Sequence, residues 1–62
     1  MQQQDSILRR RDVEARTGLS RSTIYAYIAN GTFPKQVKLG PRAAGWYQSE
    51  IDEWIKSRTA DN

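Results

Sequence analysis

At 62 residues the chain makes one domain, and a domain this small buries only roughly 60% of the surface its unfolded form exposes, which excludes a deep substrate pocket. Cysteine and histidine are both absent, which removes disulfides, thiolate metal sites and His-dependent catalysis; the expectation is a protein that is not an enzyme and needs no metal or cofactor. The formal net charge of +3 is unevenly spread: Arg9, Arg10, Arg11, Arg16, Arg21, Lys35, Lys38 and Arg42 face only Asp12 and Glu14 across residues 9–42, whereas residues 43–62 are net acidic, which points to a basic face for an anionic partner.

Residues 1–6 are polar, and with 59–62 they read as disordered tails around a single domain at 7–58. No apolar run approaches the ~18 residues of a membrane span, and the amino end lacks a signal-peptide core, so a cytoplasmic location is expected. A first helix is predicted at about 10–16, with Val13 as its apolar contact and Leu8 packing just ahead of it. Thr17 and Gly18 interrupt it, since glycine takes the left-handed conformation that closes a helix. Leu19 turns inward, and Ser20 is suited to cap a second helix over 21–30.

Ile24 and Ile28, one turn apart, define the buried stripe of that second helix. Ser22, Thr23, Ala26 and Asn30 project from the other side with short side chains, Arg21 sits at the amino end, and Tyr25 and Tyr27 flank the two faces. Gly31 and Pro34 end the helix, with Phe33 between them as a core anchor. The period then changes: Gln36-Val37-Lys38-Leu39 and Ala44-Gly45-Trp46-Tyr47, joined through Gly40-Pro41-Arg42-Ala43, predict a hairpin. Val37, Leu39 and Trp46 are its candidates to face the core, with the lysines and Arg42 outward or at the tip. Ser49 and Asp52 resemble a capping box at the start of a third helix, in which Ile51, Trp54 and Ile55 form the buried stripe. Its acidic start and basic end suit the helix dipole and need no partner, and Trp46 and Trp54 are expected in the core.

Helix, tight turn, helix, basic hairpin, helix is the order of a winged helix-turn-helix, an α+β and mostly helical fold with three short helices and a two-stranded wing. Such a turn holds the second helix proud of the surface, where it can enter a DNA major groove ~12 Å wide. Helix-turn-helix patterns are short, and the same pair of helices can equally be a packing unit; the basic stretch and basic hairpin favour double-stranded DNA as the partner.

The residues Val13, Thr17 through Tyr25, Ile28, Gly31, Phe33-Pro34, Val37 through Gly40, Arg42-Ala43, Gly45-Trp46, Glu50-Ile51 and Trp54-Ile55 resemble the AlpA family of phage-encoded regulators, over Leu8 to Arg58. The resemblance implies a winged helix related to phage excisionases and to the DNA-binding part of MerR-type proteins, with control of prophage transcription as the task. It departs at Ala26, where members frequently carry arginine, and at Gln36, where proline is frequent.

The expected base contacts are Arg21, Ser22, Thr23 and Ala26, the arginine reading guanine O6 and N7 and the alanine a thymine methyl. Thr17, Ser20, Tyr27, Lys35 and Lys38 are the expected phosphate contacts, with Arg42 at the wing tip. Tyr25 is left with two roles, a phosphate contact or a wedge under the hairpin. Arg9 to Arg11 either touch the DNA backbone or form a solvated face. Without a coiled coil, a monomer that binds adjacent sites cooperatively is expected. Three tasks fit: transcription control with RNA polymerase as partner, an excision factor that bends DNA for a phage integrase, or a protein-interaction module without DNA.

Overall fold

The computed structural model describes residues 5–59. Its elements run β1 (Ile7–Leu8), α1 (Arg10–Thr17), α2 (Arg21–Asn30), β2 (Val37–Gly40), β3 (Ala43–Tyr47) and α3 (Gln48–Thr59). This is the expected α+β, mostly helical winged-helix arrangement, enlarged by β1, a strand that the sequence pattern did not predict. The sheet has the order β1-β3-β2, with both pairings antiparallel.

Local chemistry sets the helix bounds. Gly18 (φ 76°) closes α1 in the left-handed region and its N–H donates to the Glu14 carbonyl at 2.8 Å, a single-bond αL stop. The Thr17 hydroxyl donates to the Val13 carbonyl (2.7 Å) and accepts from the Leu19 N–H (3.2 Å), which fixes the tight turn. Ser20 caps α2 by accepting from the Thr23 N–H at 3.3 Å. At its far end Gly31 (φ 78°) donates to Ile28 (3.0 Å) and Thr32 donates to Tyr27 (2.9 Å), the paired bonds of a Schellman stop. A β-carbon at either glycine would force a rarely adopted φ, so these two positions fix the length of both helices.

The core is Leu8, Val13, Ile24, Phe33, Trp46 and Ile51, with Leu19, Tyr27, Ile28, Trp54 and Ile55 packed against it. Phe33 is its hinge pin. Its ring meets Trp46 edge-on at 6.4 Å and Trp54 at 4.8 Å, while the two indole N–H groups donate to the carbonyls on either side of it, Trp46 to Pro34 (2.9 Å) and Trp54 to Thr32 (2.7 Å). The loop leaving α2 is thereby clamped to both the wing and α3.

Several expectations are corrected. Leu39 does not face the core; it is 46% exposed, and Val37 is half-buried. The pairing explains this: Val37 lies opposite Gly45, hence on the sheet face away from Trp46, and Leu39 shares that face, its Cδ1 3.5 Å from where a β-carbon on Gly45 would stand. Conversely Lys38 pairs with Ala44 and so shares the face of Trp46, beyond the end of the core. The Ser49–Asp52 capping box is not formed either. Asp5 performs that task, its carboxylate accepting from the Ser49 N–H (3.0 Å) and hydroxyl (2.7 Å), while Asp52 reaches Arg16 of α1 at 3.3 Å.

Asp5 and Ser6, expected from the sequence to lie in a tail, therefore hold the start of α3, with the Ser6 carbonyl accepting from the Gln48 N–H at 2.8 Å. Thr59, expected at the start of the other tail, is the last residue of α3, and residues 1–4 and 60–62 lie outside the described residues. Among the described residues no helix is long and apolar enough to cross a membrane.

Candidate nucleic-acid interface

The second helix contributes one fully buried side chain, Ile24, to the core. Thr23, Tyr27 and Ile28 are half-buried, whereas Arg21, Ser22, Tyr25, Ala26, Ala29 and Asn30 are exposed. Neither the hairpin nor α3 covers that outer face. Its short side chains leave the backbone of α2 free to approach another surface, and Arg21 at its amino end adds positive charge. The Arg21 guanidinium lies 6.0 Å from the Tyr25 ring centroid, at the outer limit of a cation–π contact.

Tyr25 joins this helix to the wing. Its ring is 38% exposed, and its hydroxyl accepts from the Gln36 side-chain amide at 3.3 Å. The two roles left open for it are thus not exclusive in geometry: the ring leans towards the hairpin, yet the hydroxyl hydrogen is uncommitted. Arg42, exposed in the two-residue turn between β2 and β3, borders the same cleft as Tyr25. Lys38 is exposed on the strand leading to that turn, on the face of Ala44, which also borders the cleft.

The other anticipated residues are held elsewhere. The Thr17 hydroxyl has its only hydrogen engaged by the Val13 carbonyl. Tyr27 turns to α3, its ring 6.3 Å from that of Trp54, in a groove it shares with Arg16, Leu19 and Arg58. Lys35 borders a trough against α3, among Pro34, Val37, Glu50, Glu53 and Trp54. The Ser20 hydroxyl donates to the Thr23 hydroxyl (3.0 Å) while accepting from its N–H, so both side chains are first of all parts of the helix cap. The structure thus joins the exposed side of α2, through Tyr25, to the cleft that Arg42 borders, and sends Thr17, Tyr27 and Lys35 towards α3.

Sequence reasoning left the place of Arg9 open. Its Nε donates to the Ala44 carbonyl at 3.1 Å, and its backbone N–H is taken by the Asp12 carboxylate at 3.1 Å, so the residue links the amino end of α1 to the wing. Arginine at a helix start gives no local hint of a bond to a strand 35 positions away.

Comparison with known proteins fits this geometry. The family model described as prophage CP4-57 regulatory protein (AlpA) matches residues 6–59. An uncharacterized protein, ORF88 of Enterobacteria phage P4, is 46% identical over 57 residues, covering 92% of this chain and 65% of the phage protein. A DNA-binding transcriptional activator, AlpA of Escherichia coli strain K12, is 41% identical over 58 residues, covering 84% of this chain and 83% of that protein. The chain therefore spans slightly less than two thirds of the P4 relative's length.

Proposed function

Because this chain belongs to the family of the prophage CP4-57 regulatory protein (AlpA), we propose that it is a sequence-specific DNA-binding regulator of prophage transcription, with α2 seated in the major groove and the wing on the adjacent backbone or minor groove. The observation that carries this reading is the exposed outer face of α2, largely small-chained, with Arg21 at one end and Arg42 of the wing across the cleft that Tyr25 borders. Small side chains let a helix lie deep in a groove, and flanking cations meet the phosphates along its edges. The DNA-binding description of the Escherichia coli relative supports the same reading.

In this reading Arg21 makes a bidentate contact with guanine O6 and N7, Ala26 packs on a thymine methyl, and Ser22 and Thr23 complete the base contacts. Tyr25, Lys38 and Arg42 position the domain on the backbone, while Ser20, its hydroxyl hydrogen given to Thr23, serves the cap of α2. Thr17 and Tyr27 have structural roles near α3 instead, and Lys35 borders the trough against α3. One domain acts as a monomer, and because a single module of this kind covers only about 600–1,000 Å² of its own surface on DNA, affinity is gained by cooperative occupation of adjacent sites. Selection of bound duplexes from random DNA tests the reading. The native protein should yield one short motif, and Arg21→Ala should relax it at a single base pair; unselective or absent binding at low salt would refute it.

A further inference from the structure

A cleft of about 390 Å³ lies between the amino end of α1, the outer side of α2 and the wing. It is lined by four arginines, Arg9, Arg10, Arg11 and Arg42, with Tyr25 and Gln36, over a floor formed by Ala44 and Trp46. Four guanidinium groups around one concavity repel each other, and the carboxylates at hand answer only part of that charge. Glu14 pairs with Arg10 at 2.7 Å, and the Asp12 carboxylate accepts from the backbone N–H of Arg9. Arg11 and Arg42 are in no ion pair among the described residues.

The concentration of charge is built rather than incidental. Arg9 is tied to the Ala44 carbonyl through Nε, which leaves its two terminal NH2 groups available. Gln36 donates to the Tyr25 hydroxyl, which orients that oxygen and frees its own hydrogen to donate. The cleft therefore presents donors from three separate elements and no uncommitted acceptor on Arg9, Arg11 or Arg42. Its border includes Tyr25, whose ring centroid lies 6.0 Å from the Arg21 guanidinium, so the cleft adjoins the outer face of α2.

We propose that this cleft holds one phosphate of the DNA backbone, shared by Arg11 and Arg42 with Arg9 and the Tyr25 hydroxyl as further donors. The inference rests on the reading of α2 as the major-groove helix and deepens it: the amino end of α1 becomes a third point of attachment beside α2 and the wing. Guanidinium forks match phosphate oxygens two at a time, and phosphates border the groove that α2 enters. One phosphate bridging α1 and the wing sets the angle at which α2 lies against the bases.

The test is the salt dependence of binding to the selected duplex, measured by fluorescence anisotropy for the native chain, Arg11→Ala, Arg42→Ala and the double variant, with Arg58→Ala as a control on the far side of the molecule. Giving up one neutralised phosphate should flatten the slope of log K against log salt by about 0.9. A shared phosphate predicts that each single variant, which keeps one guanidinium on it, stays close to the native slope while the double variant flattens it by about 0.9; a flattening of about 0.9 in each single variant that adds to about twice that in the double would mean two separate phosphates and would overturn the proposal. A duplex with one methylphosphonate at the phosphate in question should weaken the native chain and leave the double variant unaffected.

A native slope in the double variant, with Arg21→Ala still relaxing specificity, would overturn the cleft assignment and leave the proposed function standing. Absence of DNA binding by the native chain would remove both. Inorganic phosphate, added at constant ionic strength, distinguishes the other source of the same ligand. If it raises the melting temperature of the native chain but not of the double variant, while the slopes stay native, the cleft is a free-anion site and the proposal fails.

Discussion

Replacing Gly45 by alanine tests how the sheet is held together. Ordinarily a Gly→Ala change at a position of unexceptional φ stabilises a protein by about 0.4–1 kcal/mol, because it restricts the unfolded chain. Here the sign should reverse. A β-carbon at Gly45 would stand 2.6 Å from the Ile7 Cγ2 and 2.7 Å from the Leu8 carbonyl oxygen. Ile7 is an exposed side chain and can swing away, but the Leu8 oxygen belongs to the backbone of β1, so relief requires β1 to separate from β3. Forcing an extra methyl into such a site costs about 1–3 kcal/mol. A net destabilisation of about 2 kcal/mol would lower the melting temperature of a domain this size by about 8–16 °C. Thermal unfolding followed by circular dichroism measures this directly. A variant as stable as the native chain, or more so, would refute the close approach of β1 to Gly45 and the placement of Arg9 that follows from it.

Other variants probe the remaining assignments. Asp5→Ala removes both bonds to Ser49 and should destabilise by about 1 kcal/mol, as removal of a helix cap does, whereas Asp52→Ala breaks only an exposed ion pair and should change stability by less than that; denaturant titration compares the two. Leu39→Thr should alter stability by no more than about 0.5 kcal/mol, since the side chain is exposed, and a large drop in chemical denaturation would show that Leu39 faces the core after all. Lys38→Ala should weaken binding to all sequences alike and flatten the salt slope by about 0.9, in contrast to the sequence-selective effect of Arg21→Ala, and anisotropy titrations on matched and mismatched duplexes separate the two.

The parts of the fold that the sequence disclosed are those fixed by neighbours in the chain. Ser20 and Gly31 bound α2 through bonds reaching no more than five residues, so its span of 21–30 was readable without tertiary information. Phe33, Trp46 and Ile51 were recognisable as core from their size and their place between polar stretches. What escaped depends on contacts between distant segments. β1 is two residues long and has no pattern of its own; it exists because Tyr47 and Trp46 offer it an edge. Asp5 lies 44 positions from the helix it caps. Alternation in Val37-Lys38-Leu39 shows that two residues share a face, but only the pairing of Val37 with Gly45 tells which face that is. The candidate site divides in the same way. Arg21, Ser22 and Ala26 follow from helical spacing, while the meeting of Arg9 to Arg11 with Gln36 and Arg42 requires the hairpin to fold back over α1.

The anchoring of α2 has a consequence for how such proteins diverge. Ile24 is the helix's sole fully buried residue, and its ends are held by Ser20 and by the loop clasped between two indoles. Substitutions at positions 21, 22, 26, 29 and 30 therefore leave the scaffold almost untouched. Under the proposed function, new recognition preferences can accumulate there one residue at a time without each change needing a compensating repair in the interior, which would let a lineage of small regulators spread across many targets on one inherited frame.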